Sequence, residues 1–331
     1  MASFEFPKTE FSRVLGTELA VVQAPMGGAA GPRLVAASAD SGALAILPIW
    51  VGPPAAATAL IRQTQSLTQK SFAVNLRADL EQLDHIAAAT AAGVSLVHLF
   101  WGDPASSMPT IRRAGARMIA TVSDKDSAKA ALDAGAVALI AQGVEAGGHV
   151  HGTTPLTELV PLVVAEAAGV PVAAAGGIAE PDDIVRALRL GASAVVLGTR
   201  LVASEESEAH PDYKQALIRA RTGDTELSRC FDGFWPDAPH RTLKNSTFRA
   251  WDKAGRPAQG ARPGEGDVIA RVEGVMEIPR YHAATPTKAM SGDCEAMALY
   301  AGTGVGKIAD VRPAALLIGE LVAAASARLG R

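Results

Sequence analysis

One arrangement of apolar and polar positions recurs along much of the chain. An alanine-rich stretch with helical spacing is followed by a glycine and then by a short, wholly apolar run. Glycine commonly ends helices, and a wholly apolar run is typical of a strand that is covered on both faces. The pattern therefore predicts helices alternating with parallel strands. The glycines are Gly42, Gly93, Gly115, Gly135, Gly169 and Gly191.

Eight such strands are predicted, and eight close a (β/α)8 barrel better than they fit an open doubly wound sheet. Helix starts agree with this scheme, since Pro32 and Pro181 stand at first-turn positions. Ser123 and Asp126 are expected to form a capping box. The predicted strands are 19–24, 44–48, 72–76, 94–101, 116–122, 136–142, 170–175 and 192–198.

The repeat ends after Arg200, and residues 201–300 have mixed composition. We interpret this region as an insertion or small lid subdomain after strand 8. Apolar positions return at helical spacing in 312–329, which predicts a last helix of the outer ring. The predicted division is a barrel formed by 1–202 and 303–331, with the insertion at 203–302.

Composition narrows the range of partners. The chain has 331 residues, of which 48% are hydrophobic and 20% charged, and its net charge is -3. A sizeable core is expected, and nothing favours nucleic acid or an anionic membrane, so a small-molecule partner is predicted. The first residues do not resemble a signal peptide, and no apolar run reaches the length of a membrane span. With only Cys230 and Cys294, both expected to be reduced, the chain is predicted to be cytoplasmic.

Three consecutive strand ends carry glycines, and the first of these loops also carries His149. Glycine lets backbone N–H groups approach a ligand closely, and a helix that starts after such a loop favours a phosphate. The alternative is that each glycine only makes a tight turn. Three in succession with a histidine favour a ligand site. The glycine-loop residues are Gly143, Gly147, Gly148, Gly176, Gly177, Gly198 and Thr199.

Other strand ends bring further side chains to the same face of a barrel. The loops after strands 7 and 8 are a common phosphate site in this fold. Flavin mononucleotide (FMN) fits such an arrangement, because amides can bond the edge of its ring. Loop polarity and plain turns are the alternatives. The predicted cofactor contacts at the other strand ends are Pro25, Met26, Asn75, Thr121 and Gln142.

These residues resemble the nitronate monooxygenase family, formerly called 2-nitropropane dioxygenases, and the related enoyl-ACP reductase II enzymes. The most specific segment is Glu-Ala-Gly-Gly-His at 145–149. The resemblance also covers Gln-Ala-Pro-Met-Gly-Gly at 23–28, Phe-Ala-Val-Asn-Leu at 72–76, Ala-Ala-Gly-Gly-Ile at 174–178, Leu-Gly-Thr-Arg at 197–200 and Tyr-Ala-Gly-Thr-Gly-Val-Gly at 300–306.

The resemblance implies an FMN-dependent barrel that oxidises alkyl nitronates with O2 to a carbonyl compound and nitrite, with His149 as the catalytic histidine. An imidazole can accept a carbon-bound proton from a neutral nitroalkane near neutral pH. No metal is expected, because His149 and His151 lack further Cys, Asp or Glu ligands at suitable spacing.

Two other functions compete with this reading. The same barrel and histidine would serve an NAD(P)H-dependent enoyl-ACP reductase. A basic patch near the pocket mouth would favour that function, but Arg112, Arg113 and Arg117 alone do not establish one. A non-catalytic flavin-binding protein is the second alternative, and His149 argues against it. Lys307 is either an anion contact or a surface lysine, Tyr300 either approaches the site or packs the last helix, and a homodimer is the candidate assembly.

Overall fold

The computed structural model describes residues 6–330, so residues 1–5 and 331 of the predicted barrel lie outside the described residues. The strands are β1 Val21–Gln23, β2 Leu44–Pro48, β3 Ala73–Arg77, β4 Leu96–Phe100, β5 Arg117–Val122, β6 Ala138–Gln142, β7 Gly148–His149, β8 Val172–Ala175, β9 Ala194–Leu197, β10 Thr225–Ser228, β11 His240–Leu243, β12 Val268–Val272, β13 Met276–Pro279 and β14 Met290–Gly292.

The helices alternate with the strands through the first part of the chain. They are α1 Glu10–Leu15, α2 Pro32–Asp40, α3 Pro54–Leu67, α4 Leu83–Ala91, α5 Met108–Arg113, α6 Lys125–Ala134, α7 Leu156–Glu166, α8 Pro181–Arg189, α9 Thr199–Val202, α10 Pro211–Arg219, α11 Ser246–Lys253 and α12 Ala314–Leu329, with 3-10 turns at Pro104–Ser106, Cys294–Ala296 and Thr303–Lys307.

Strands β1–β6, β8 and β9 form a closed parallel barrel, which confirms the predicted (β/α)8 fold and its eight strands. Two apolar layers hold it. Inward-facing side chains such as Leu44, Leu96 and Ile119 fill the barrel, and outward-facing ones such as Leu47 and Leu139 pack against the helices. Both faces of each strand are thus covered, which explains why the strand sequences do not alternate.

Helix ends follow the sequence signals with one exception. Gly135 ends α6 in the left-handed conformation with a φ of 95°, and Pro32 and Pro181 begin α2 and α8. The predicted capping pair is wrong by one residue, because the box before α6 is formed by Asp124 and Ser127. Asp124 has the extended backbone that an N-cap requires and accepts a hydrogen bond from the Ser127 N–H.

The region after α9 contains two small antiparallel sheets outside the barrel, which confirms an inserted subdomain after the last barrel strand. One sheet has the order β13-β12-β14. The other has the order β10-β11-β7, so it includes residues 148–149 from the barrel part of the chain, which the sequence had predicted as loop. The exact limits at 203 and 302 stay a prediction. Helix α12 then packs against α2 and α8, as expected for the outer ring.

None of the described helices is long and apolar enough to cross a membrane. Cys230 and Cys294 are both free, as predicted, and both are buried.

Candidate active site

A cavity of about 430 Å³ opens at the carboxyl ends of the barrel strands. Twelve of the thirteen residues predicted for the site line it, so the strand ends converge as the barrel prediction required. They are Pro25, Met26, Asn75, Thr121, Gln142, Gly147, Gly148, His149, Gly176, Gly177, Gly198 and Thr199.

Gly143 is the predicted site residue that does not line the cavity. Its backbone N–H donates a hydrogen bond to the Ala175 carbonyl, at 2.9 Å, and so extends the hydrogen bonding between β6 and β8. A Cβ at this position would lie 2.7 Å from the Leu156 Cβ, so Gly143 provides room for the start of α7. The turn interpretation therefore describes this glycine better than ligand contact does.

His149 is held by strand pairing. It lies opposite His240 in the antiparallel pair of β7 and β11, and the Gln142 side-chain amide donates to its carbonyl, at 3.1 Å. Its imidazole stacks on the Trp235 indole with ring centroids 3.9 Å apart and an angle of 22° between the rings. The Tyr300 ring lies 5.5 Å away. The insertion thus contributes every one of these aromatic and imidazole neighbours.

The environment keeps the His149 imidazole neutral. Burial lowers its pKa well below the ordinary value, and the nearby His240 and Arg77 lower it further. Its Nε2 atom is buried and has no hydrogen-bond partner among the described residues. A neutral imidazole with an unpaired nitrogen at a cavity wall is equipped to take a proton or to hold a polar ligand atom.

Arg77 is a site residue that the sequence analysis missed. Its guanidinium carbon lies 3.3 Å from the Trp235 ring centroid, and its Nη2 pairs with the Asp79 carboxylate at 2.6 Å. The indole therefore has both a cation and the His149 imidazole against it. Because Trp235 is 158 residues away from Arg77 in the chain (235 minus 77), no local sequence signal could have linked them.

Polar side chains on three neighbouring strands form one layer of the cavity wall. The Asn75 Nδ2 lies 3.0 Å from the His98 Nδ1, and the His98 Nε2 lies 2.8 Å from the Thr121 Oγ1. His98 is only 1% exposed, and burial lowers its pKa to about 3. The sequence analysis expected Asn75 and Thr121 at the site but not His98. The sequence did contain a signal for His98. It lies two residues after Leu96 in β4, so its side chain points into the barrel as that of Leu96 does.

Backbone amides gather at the loops after β8 and β9. Gly176 and Gly177 adopt φ values of 135° and 68°, which only glycine accepts without strain. In the described part of the chain, no protein group accepts a hydrogen bond from the N–H of Gly177, Ile178, Gly198 or Thr199. Successive free amides of this kind form an anion-binding concavity.

The segment at 300–306 closes this end of the cavity, as the resemblance implied, since Tyr300, Gly302 and Gly304 all line it. The Gly302 N–H donates to the Thr199 hydroxyl, at 3.0 Å. Lys307 does not face the cavity. Its ammonium pairs with Asp183 at 2.6 Å and Glu180 at 2.7 Å, so it is neither a free anion contact nor an unpaired surface lysine.

Two aromatic neighbours of His149 lie outside the cavity lining. The His151 Nδ1 contacts the Ser123 hydroxyl at 3.1 Å and stands apart from the cavity. Trp101, with a φ of 62°, packs edge-on against both His149 and His151, at 6.1 and 5.0 Å. Trp101 therefore supports the histidine segment and does not wall the pocket. Among residues 6–330, no group of three or more metal-ligating side chains comes together.

The fold and this site define a (β/α)8 barrel enzyme with a cavity at the carboxyl ends of the strands. The family model described as nitronate monooxygenase matches residues 8–96 and 85–324. The chain therefore belongs to the nitronate monooxygenase family, which is a family of flavin oxidoreductases. This confirms the resemblance found in the sequence.

Individual proteins show the same relationship. The chain is 33% identical to a Rhodococcus jostii protein named (3aS,4S,5R,7aS)-5-hydroxy-7a-methyl-1-oxo-octahydro-1H-indene-4-carboxyl-CoA dehydrogenase, over 75% of this chain and 69% of that protein. A solved nitroalkane oxidase from Streptomyces ansochromogenes is 30% identical, with a TM-score of 0.77 over 97% of this chain and 98% of the other. FabK from Thermotoga maritima is 25% identical, with a TM-score of 0.82 over 98% and 97%.

Proposed function

We propose that this protein is an FMN-dependent nitronate monooxygenase that oxidises alkyl nitronates or nitroalkanes with O2 to carbonyl compounds and nitrite. The observation that carries the proposal is the buried, neutral His149 with an unpaired Nε2 at the wall of a cavity built like a cofactor site. The family membership and the nitroalkane oxidase neighbour support the substrate class. A cytoplasmic location and a homodimer remain predictions.

The residues present fit FMN. The free amides at Gly177, Ile178, Gly198 and Thr199 would hold its phosphate, and the polar layer would meet the ring system. The buried Gln142 Oε1 faces the cavity and has no hydrogen-bond partner within residues 6–330. Such an orphaned atom is costly unless a ligand satisfies it. When bound, the flavin accepts electrons from the substrate and passes them to O2.

His149 would remove the proton from the carbon that bears the nitro group. Its lowered pKa keeps the imidazole deprotonated at neutral pH, so that Nε2 is ready to accept. Gln142 fixes its backbone, and the Trp235 stack covers one face of the ring and excludes water there. Both contacts limit the orientations that the imidazole can take. A preformed nitronate would bypass this step.

The cavity favours a substrate with an apolar body. Among the described lining residues, Arg77 is the one permanent charge, and it is already paired with Asp79. Val51, Phe234 and Met276 line the cavity although they are 58%, 69% and 44% exposed, which places apolar side chains at its mouth. An alkyl chain would bury this surface.

Reduction of an enoyl-ACP is less well supported. Arg117 begins β5 and donates to the Val14 carbonyl, at 2.6 Å, so it lies at the opposite end of the barrel from the cavity. Arg112 and Arg113 end the helix that leads into this strand. The three arginines therefore do not form the basic patch near the pocket that an acidic carrier protein would require.

Oxidation of an acyl-CoA thioester is the second candidate, and one observation favours it. The Rhodococcus jostii protein, whose name specifies a bulky indene-carboxyl-CoA substrate, is 33% identical over 75% of this chain. The apolar mouth formed by Val51, Phe234 and Met276 would suit a bulky hydrocarbon as well as an alkyl chain.

Anaerobic flavin spectroscopy separates these functions. The purified protein is loaded with FMN, and propyl-2-nitronate, NADH, NADPH or an alicyclic carboxyl-CoA thioester is added to separate cuvettes while the absorbance of oxidised flavin is followed. We expect loss of this absorbance with the nitronate alone. Rapid bleaching by NADH or NADPH only would favour a reductase, and bleaching by the thioester only would favour a dehydrogenase. Failure to take up FMN would contradict the cofactor assignment.

A further inference from the structure

His98 connects two of the residues expected to meet the cofactor, yet the proposed function gives it no role. It is 1% exposed, and its side chain points to the inside of the barrel from the middle of β4. Asn75 on β3 contacts one ring nitrogen and Thr121 on β5 contacts the other, at 3.0 and 2.8 Å. A fully buried histidine whose two nitrogens are both engaged has one fixed orientation.

The chemistry of the partners also fixes the position of its hydrogen. The Asn75 Nδ2 also donates to the Leu76 carbonyl, at 3.1 Å, which orients the side-chain amide with its NH2 group toward His98. An NH2 group has no acceptor site, so the His98 Nδ1 must be the acceptor. Burial keeps the ring neutral, and its one hydrogen therefore lies on Nε2 and is donated to the Thr121 Oγ1.

This arrangement orients the Thr121 hydroxyl. One of its oxygen lone pairs is occupied by the hydrogen from His98, so its own hydrogen must point elsewhere. Within the described chain no protein group accepts that hydrogen, and Thr121 lines the cavity. The hydroxyl is therefore presented as a donor to whatever atom occupies the cavity above it.

We propose that His98 is a positioning residue that orients the Thr121 hydroxyl as a hydrogen-bond donor to an acceptor atom of the bound flavin ring. The inference rests on the proposed function only through the identity of the cofactor. A neutral donor at such an atom stabilises the extra electron density that the ring gains on reduction. His98 should consequently influence both the affinity for FMN and its reduction potential, without contacting the substrate.

The test compares four single variants and one double variant by two measurements that do not depend on turnover. FMN dissociation constants are measured by quenching of flavin fluorescence, and reduction potentials by equilibration with reference dyes. Thr121→Val removes the donor, and Thr121→Ser is its matched control. His98→Leu removes the orienting group, whereas His98→Gln keeps an amide N–H near the position of the histidine Nε2. The thermal midpoint of each apoprotein checks that it is folded.

We expect Thr121→Val and His98→Leu each to weaken FMN binding about 5-fold, the size of one net hydrogen bond, and to lower the reduction potential. Thr121→Ser and His98→Gln should stay within about 2-fold of the wild type. The double variant His98→Leu/Thr121→Val should be no worse than Thr121→Val alone, because both changes remove the same contact.

Three results would overturn the inference while leaving the proposed function intact. These are a Thr121→Val protein with wild-type affinity and potential, a folded His98→Gln variant as impaired as His98→Leu, and a double variant whose loss is the product of the two single losses. A Thr121→Val protein with wild-type affinity and potential overturns the inference even if His98→Leu does not fold, and His98→Gln then tests the role of the histidine. A wild-type protein that takes up no FMN would contradict both the inference and the proposed function.

Discussion

The barrel and the inserted region each contain a buried histidine close to the site, but they hold it in different ways. His98 in the barrel is fixed by two side-chain partners on neighbouring parallel strands. His240 in the insertion is fixed by backbone, since its Nδ1 contacts the Ala238 carbonyl and its Nε2 accepts from the Phe231 N–H, both at 2.9 Å.

The difference shows a division of labour between the two regions. Barrel strand ends supply glycine amides and amide or hydroxyl side chains, which suit a polar cofactor. The insertion supplies Trp235, Phe234 and Tyr300 around His149, which suit an apolar substrate. His149 lies where the two regions meet, because β7 pairs with β11 of the insertion.

Replacing His149 should produce the largest effect. It tests whether this residue acts in the reaction and not in binding the cofactor. For His149→Asn we expect kcat/KM on a neutral nitroalkane to fall by about 10²–10⁴-fold, because the base is lost, with FMN affinity nearly unchanged. Activity on the preformed nitronate should fall less. Steady-state oxygen consumption measures both. His151→Asn is the control two residues away, outside the cavity lining. Full retained activity in His149→Asn would exclude it as the base.

Acid unfolding should sharpen the comparison of the two histidines. Burial lowers the pKa of His98 to about 3 and that of His240 to about 4. The unfolded chain then binds more protons between about pH 6.5 and 4, so stability is complete above this window and falls as the pH decreases. At pH 5 the loss should be about 2 kcal/mol for each histidine.

Urea unfolding at pH 7.5, 6.0 and 5.0 measures this dependence. His98→Gln and His240→Gln should each reduce the pH slope by about one proton, with unchanged m-values. Equal slopes for wild type and both variants would mean that the two rings take up protons in the folded protein as they do in the unfolded chain. Separate transitions for the two variants would mean that the barrel and the insertion unfold independently.

Gly177 lies in the loop after β8, one of the two loops proposed to hold the FMN phosphate. Replacing it should weaken cofactor binding and not only reduce the stability of the fold. Gly177 has a φ of 68°, and a Cβ there would lie 2.8 Å from the Thr303 Oγ1. We expect Gly177→Ala to weaken FMN binding by about 10-fold, because loss of two amide contacts costs at least this much. Gly169→Ala is the matched control, since Gly169 also has a positive φ, 98°, but has open space around it.

Both glycine variants should lose about 1 kcal/mol of stability from backbone strain, measured by thermal unfolding of the apoproteins. Only Gly177→Ala should lose FMN affinity. Equal affinities in the two variants would place the phosphate elsewhere.

Replacing an apolar residue at the mouth of the cavity should give the smallest effect. Phe234→Ser is expected to lower the preference for 1-nitrohexane over nitroethane, expressed as a ratio of kcat/KM, by about 3-fold, because part of an alkyl chain loses apolar contact. Val275→Ser is the control, since Val275 is 75% exposed and does not line the cavity. Loss of preference in both variants, or in neither, would contradict a specific role for Phe234.

The sequence was sufficient for the barrel and for most strand-end residues. Continuous apolar runs separated by helix-ending glycines identify covered parallel strands, and closure into a barrel brings their carboxyl ends together. That is why Asn75, Thr121 and Gln142 could be placed at one cavity from local patterns. The same argument was wrong for Gly143, because this residue packs against the start of α7 and does not line the cavity.

What the sequence did not predict depends on contacts between distant segments. Trp235 reaches Arg77 and His149 through the inserted region, and aromatic residues in a mixed-composition stretch carry no sign of their partner. Strand β7 has only two residues, too few to show a periodic pattern. His98 was overlooked for a different reason, since a histidine in an apolar strand resembles a core residue until the inward face of the barrel is known.

The pairing of Gly148 and His149 with His240 and Arg241 also limits how this protein can be re-engineered. A designer who exchanged the insertion for that of a relative would remove the strand that aligns the histidine, even though the histidine itself belongs to the barrel part of the chain. The barrel and the insertion should therefore be exchanged only together. To change the range of substrates, it is better to replace Phe234 and Met276 within the existing insertion than to graft another insertion.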